Sequence, residues 1–427
     1  MKQTCIVLLI QFLVLIGYSQ NDLPDFVNKY SVAINSIHPD STNFSDLENI
    51  GKAIGDARIV LLGEQDHGDA PAFLAKTRLV NYLNAKKGFT VIAFESDFFS
   101  ATYGFENNAK TIQGYLSFYK ANIVPYWTLS DACNELFTQL IPQSFSLPNR
   151  LIIAGFDNQM FYKYAATNLS KTIDSLARHH QLEILNNPST YSSILLSIDT
   201  LSNSIVCTTK SKEYYKQSIA NLLTLKKQFQ EKLNGQAVVV LLIDNLVAFA
   251  NQLLVKNDFT AMCNIRDNQM ANNLQWLCTQ KFPKEKIIVW AANYHISKYM
   301  GHFSKKVHNN NISMATQFVK DSTLNKETYA LGFTSFNGEA GRIGTKTFVV
   351  NKPHENGFER WINPAFDYAF TDFKKFNLLH PNFNNEFELK SCVSANEVHK
   401  SHLGQWNKIF DGIFFIRHMY PCNIKTN

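Results

Sequence analysis

The chain has 427 residues, 45% of them hydrophobic and 18% charged, with a formal charge of +6 at pH 7. That composition is globular, with enough apolar side chains for a full core, and it excludes a disordered or fibrous chain. The positive excess is spread thinly, Lys305-Lys306 being a short cluster that reads as solvated surface, so no nucleic-acid module is expected.

The first residues are Met1-Lys2-Gln3-Thr4-Cys5, followed by an apolar run over 6–16 and then Gly17-Tyr18-Ser19-Gln20. A basic start, a short apolar stretch and small residues beyond it form a secretory signal pattern over 1–19, which predicts export to the periplasm or medium. The run is too short for a permanent membrane helix, and no later stretch is long and apolar enough to be one. Six cysteines follow it: Cys133, Cys207, Cys263, Cys278, Cys392 and Cys422. An even count fits disulfides in an oxidising compartment, the wide spacings fit buried free thiols, and with no CxxC the zinc-knuckle and thioredoxin readings fall away.

Four apolar, β-branched-rich runs then share one pattern. Residues 58–62 lead into Gly63-Glu64-Gln65-Asp66-His67-Gly68, 90–94 into Glu95, 151–156 into Asp157, and 286–291 into Asn293 and His295. Such runs read as strands buried on both faces, as in a parallel sheet. Between them, 72–87 is helical, with Phe73, Lys76, Val80 and Leu83 on one face and Gly88 as a left-handed cap. Four further helical stretches over 169–185, 191–201, 212–233 and 237–255 form an expected helical insertion (161–261) between two parts of an α/β core, 20–160 and 262–427. A helix over 262–281 follows, then short strands at 329–334, 347–350 and 413–416; the order within 351–397 is not legible. The expected fold is α/β, a mostly parallel central sheet flanked by helices, with that insertion.

Ligands bind outside the carboxyl ends of the strands in open parallel sheets. Here those ends carry Glu64 with His67, Glu95, Asp157, and Asn293 with His295. A carboxylate bonded to one imidazole nitrogen fixes the tautomer and raises basicity, so Glu64 and His67 can take a proton from water. Lys76 and Arg78 are candidates for the positive charge near an oxyanion. There is no G-x-S-x-G elbow, no HExxH and no P-loop. His399-x-x-His402, with Glu397 close by, reads as a surface cluster, and His179-His180 as solvated. Phe98, Phe99, Tyr103 and Phe105 read equally as a cleft wall or as core.

Gly63-Glu64-x-x-His67-Gly68, Lys76, Gly88-Phe89 and Glu95 together resemble the erythromycin esterase family. Gly155-Phe156-Asp157, the helix Arg266-Asp267-Asn268-Gln269-Met270-Ala271-Asn272-Asn273 and the strand end Trp290-Ala291-Ala292-Asn293-Tyr294-His295 extend the resemblance in order. It implies hydrolysis of a small-molecule ester or lactone with no metal and no other cofactor. It implies His67 as general base, Glu64 and Glu95 orienting the histidine or the water, and Lys76 at the oxyanion. Arg266, His295, Asp157 and Asn293 would complete the substrate cleft. Two positions depart from the pattern: Ala292 stands where the family has a histidine, and Pro71 where an acidic residue is frequent. The resemblance therefore does not carry macrolide hydrolysis with it. Two other readings stay open, a metal-dependent hydrolase using Glu64, His67, Glu95, Asp157 and His295 as ligands, and a binding protein on an enzyme scaffold.

Overall fold

The computed structural model describes residues 22–233, 237–304, 310–391 and 398–424. The leader pattern, Lys305, Lys306, Cys392 and Glu397 lie outside them. In chain order the strands are β1 Val32–Ile34, β2 Ile59–Leu62, β3 Phe89–Asp97, β4 Ile152–Asp157, β5 Lys286–Trp290, β6 Thr328–Ala340, β7 Phe348–Val350, β8 Tyr368–Asp372, β9 Phe387–Ser391, β10 Lys400–Gly404 and β11 Gly412–Met419. The helices that matter to the site are α1 Ala70–Lys87, α2 Lys163–His179, α3 Pro188–Leu201, α4 Lys212–Lys232, α5 Val238–Leu254 and α6 Phe259–Trp276.

The main sheet runs in the order β1-β8-β11-β6-β2-β5-β3-β4, with β7 paired to β6. From β11 to β4 every neighbour is parallel. β8, β1 and β7 add antiparallel pairs, and β9–β10 is a separate hairpin. The apolar runs need no alternation of polar and apolar residues because both faces are covered. Ile59, Leu61, Val91, Ala93, Ile287 and Val289 enter one hydrophobic cluster. Val60, Leu62, Ile92, Phe94, Ile288 and Trp290 enter the other. The sort by odd and even position is the two-residue period of a strand. The first cluster continues through α2–α6, of which α6 packs against β4.

Gly88 ends α1 in the left-handed conformation, φ 74°, its N–H donating to Leu83 O. Segment 351–391, not legible in the sequence, supplies β8 and β9. Five cysteines among the described residues are free thiols. Among the described residues no helix is long and apolar enough to cross a membrane.

Candidate active site

The sheet order assembles the site. β5 lies between β2 and β3, although it follows both in the chain. Leu62 and Phe94 both align with Trp290. The segments beyond these three residues therefore emerge side by side, bringing Glu95 within 3.1 Å of His295 and 3.8 Å of His67. A register shift between Phe94 and Asp97 on β3 turns the strand end there, as a bulge does. Gly63 and Gly68 serve close approach rather than unusual φ. A Cβ on Gly63 would come within 2.0 Å of Asn293 Oδ1, and one on Gly68 within 2.2 Å of Gly341 O.

A buried chain of charge starts on α1. Lys76 and Glu64 are both fully buried, and Lys76 Nζ donates to Glu64 Oε2. Burial pushes the Lys76 amine below its ordinary range, and the charge of Glu64 opposes that shift. The ammonium also sits 4.2 Å above the Trp290 ring, a cation–π contact. The other Glu64 oxygen lies 3.1 Å from His67 Nδ1. The carboxylate can only accept, so this contact places the proton on Nδ1 and leaves the Nε2 lone pair free. Nε2 stands 3.8 Å from Glu95 Oε1. Tyr126 stacks on the imidazole at 5.6 Å and 9°, and Trp127 meets it edge-on, which holds the ring plane.

A second network faces the first. Arg266 on α6 donates through Nη2 to Asp157 Oδ2 (2.6 Å) and to Glu95 Oε1 (2.9 Å), and through Nε to Asp157. His295 places Nδ1 2.7 Å from Asp267 Oδ1 and Nε2 3.1 Å from Glu95 Oε1. Burial alone would push this imidazole down; the charges of Asp267 and Glu95 overcome it and raise its pKa to about 10. A carboxylate facing each nitrogen favours the imidazolium, which makes His295 a positive charge of the site rather than its base. Arg266 Nη1 lies 3.3 Å from the same Nε2, a meeting of two cations that Glu95 bridges. Glu95 is itself held well below the usual carboxylate range, because the positive charges of His295 and Arg266 outweigh its burial.

The sign of the His295 shift gives a pH prediction. Its folded pKa lies above its ordinary value of 6.5, so its contribution to stability is complete below pH 6.5 and is lost as pH rises through about 10. Urea midpoints measured from pH 6 to 10 should fall in the wild type and fall less in His295→Gln; parallel curves refute the assignment.

Three sequence expectations shift when the side chains are placed. Lys76 lies beneath Glu64, sealed from the cleft, so it holds the carboxylate rather than an oxyanion. Arg78 points elsewhere, binding both oxygens of Asp46 (2.7 and 2.9 Å) and Ser36 O and Asn43 O. Asn293 is fully buried and does not line the cleft: its amide donates to Phe333 O (2.6 Å) and Ser391 Oγ, and its Oδ1 accepts from Phe333 N. It ties β5 to β6, which the motif alone does not reveal.

The His399 cluster is not on the surface. His399 is buried, with Nε2 2.9 Å from Asp69 Oδ1 and Nδ1 3.2 Å from Ser335 Oγ. Its φ of 57° is left-handed, a conformation that non-glycine residues keep only where surroundings enforce it. Asp69 Oδ2 accepts from Asp66 N at 2.9 Å, so His399 braces the loop that carries His67. Of the pair expected to be solvated, His179 is exposed and His180 is half-buried. Phe98, Phe99 and Phe105 are core, all buried.

A cavity of about 210 Å³ opens over these groups, lined in part by His67, Glu95, Arg266, Ala292 and His295. Its apolar wall is Tyr294 with Phe259, Met262 and Cys263 from α6, the last three marked by no local motif. Arg342, from the β6–β7 connection, also lines it, with Nε 2.6 Å from Asp66 Oδ1. Asp267 lay inside the Arg266 motif and acquires its role only through the His295 contact. Among the described residues no group of three or more His, Cys, Asp or Glu side chains is arranged to hold a metal ion.

An α/β sheet with a histidine–carboxylate centre at its strand ends defines an enzyme-like cleft, and sequence comparison assigns its class. The model of the erythromycin esterase family matches residues 143–419. The chain belongs to the erythromycin esterase family, a hydrolase family. The putative hydrolase YbfO of Bacillus subtilis (strain 168) is 27% identical over 362 residues, 78% of each chain. The erythromycin esterase type II of Escherichia coli is 24% identical, covering 89% of this chain and 93% of its own. Among solved structures, a Bacillus cereus protein aligns with a TM-score of 0.74 at 18% identity, over 96% of this chain and 100% of that one. A mutant of the erythromycin esterase EreC in its open conformation aligns at 0.66 and 15% identity, over 91% and 97%.

Proposed function

We propose that this protein hydrolyses a carboxylic ester or lactone, with His67 as general base on water. The observation that carries the reading is the Lys76–Glu64–His67 chain, which ends in an imidazole nitrogen with a free lone pair beside the cleft. Lys76 pairs with Glu64, Glu64 fixes the tautomer, and Nε2 takes the proton from water as it attacks the acyl carbon. The developing oxyanion meets the positive charge of Arg266 and of the His295 imidazolium, both held in place by carboxylates. Glu95 links the two halves, since it neighbours His67, His295 and Arg266. Export forms part of the same proposal and rests on the N-terminal pattern; sequencing the N-terminus of protein recovered from the periplasm or medium tests it.

An ester and lactone panel, run with and without chelator, tests the chemistry. Turnover that survives chelator is expected. Stoichiometric bound metal together with chelator-sensitive turnover would replace this mechanism by a metal-dependent one. Arg266→Lys keeps the charge but loses the planar fork that spans Asp157 and Glu95. A kcat/KM lower by about 10²-fold is expected from the misplaced Glu95; kinetics equal to wild type would remove Arg266 from the mechanism.

A further inference from the structure

A second, smaller cavity adjoins the first. Its volume is about 110 Å³, against about 210 Å³ for the larger one, and the two share His67, Glu95, Gln159 and Arg266. Its own walls include Val124, Tyr126, Trp127 and Tyr162, with Asp97 and Asp157. Every residue around it is buried or half-buried, whereas the larger cavity includes Phe259, which is 46% exposed. The smaller chamber is thus the more enclosed of the two.

Its walls are fixed in place. Trp127 packs on Phe94 and Trp290, Tyr126 stacks on His67, and Tyr162 N donates to Asp97 Oδ2 at 3.0 Å. The carboxylates are already bonded, Asp97 to Ser100 Oγ and Tyr162 N, and Asp157 to Arg266. Close-packed walls yield little, so the chamber selects by shape rather than by charge. An apolar cavity of about 150 Å³ holds a six-carbon ring, so this one takes a group of about four carbons.

His67 delivers the water and Arg266 meets the oxyanion, and both residues line both cavities. The acyl carbon therefore belongs at the shared wall, where its two substituents, the acyl chain and the alkoxy group, point apart. We propose that the two cavities are separate subsites for the two halves of the ester. One half is compact and fills the chamber walled by Val124 and Tyr162. The other is bulky and apolar and lies against Phe259 and Met262. The substrate class is an ester with at least one compact half, and Val124 and Tyr162 set its size limit.

The proposal rests on ester hydrolysis at His67, and its test separates the two. Ethyl acetate, benzyl acetate, ethyl phenylacetate and benzyl phenylacetate are compared as substrates of the wild type, Tyr162→Ala and Val124→Ala, each kcat/KM divided by that ester's hydroxide-catalysed rate. In the wild type, benzyl phenylacetate, bulky on both sides, should be at least about tenfold worse than the better ester with one benzyl group, since overfilling a packed space is costly. Both variants enlarge the chamber and should narrow that gap. Equal turnover of the singly and doubly benzylated esters by the wild type, or a gap unchanged in both variants, overturns the proposal; the chamber then merely holds water. Should Tyr162→Ala not fold, Val124→Ala decides alone. Should no ester turn over, ester hydrolysis as proposed is what fails, and calorimetry of two unhydrolysable ketones decides this proposal. Dibenzyl ketone binding more weakly than benzyl methyl ketone, with the difference reduced in Val124→Ala, upholds it; equal or tighter binding, or a difference that Val124→Ala leaves unchanged, overturns it.

Discussion

His67→Ala should lower kcat/KM at pH 7 by about 10²–10⁴-fold for any ester the protein hydrolyses, the range of general-base catalysis. The loss should fall on kcat, because the lining residues that would bind substrate are untouched. Folding should change little: the His67 side chain is 15% exposed, and its removal leaves Glu64 paired with Lys76. Alanine at His295 makes a useful contrast. That imidazole is buried between two carboxylates, so its loss should reduce stability as well as turnover. Steady-state kinetics and thermal unfolding of the two variants separate a base from a structural cation. Unchanged turnover in His67→Ala sinks the mechanism.

Lys76→Met should destabilise the protein by about 3–5 kcal/mol, the cost of leaving one member of a buried ion pair uncompensated. Neither Lys76 nor Glu64 reaches solvent. Once the ammonium is gone, Glu64 is left buried without its charged partner, and its hold on His67 is disturbed. Activity should therefore fall together with stability. The double variant Lys76→Met with Glu64→Gln removes both charges. It should regain most of the stability, since replacing a whole buried pair is frequently near neutral, but not the activity. Urea denaturation of the wild type, both single variants and the double variant closes a mutant cycle. A single Lys76→Met variant within about 1 kcal/mol of wild type would show that the pair does not carry this weight.

The roles of the two histidines follow from their surroundings. His67 has one nitrogen committed and one open, whereas His295 has both nitrogens facing carboxylates at 2.7 and 3.1 Å. Residue type and strand-end position are the same for both. Only the partners differ, and Asp267 comes from a helix whose approach to β5 no local pattern encodes.

The amino-acid sequence by itself determined the strands that carry the site. The runs ending at Glu64, Glu95, Asp157 and His295 are continuous and apolar, and that pattern is local, set by burial on both faces. It determined α1 and its glycine cap for the same reason. Only the tertiary structure decided that β5 enters between β2 and β3, and so which strand ends become neighbours. It also decided that Lys76 and Asn293 lie behind the cleft, and that His399, distant in the chain, braces Asp69. The antiparallel strands β1 and β8 were illegible because each is short and is stabilised by a partner hundreds of residues away. The Glu64–His67 pair is encoded within four consecutive residues. What makes His67 a base and His295 a fixed charge is encoded in contacts between distant segments, which depend on how the sheet is ordered.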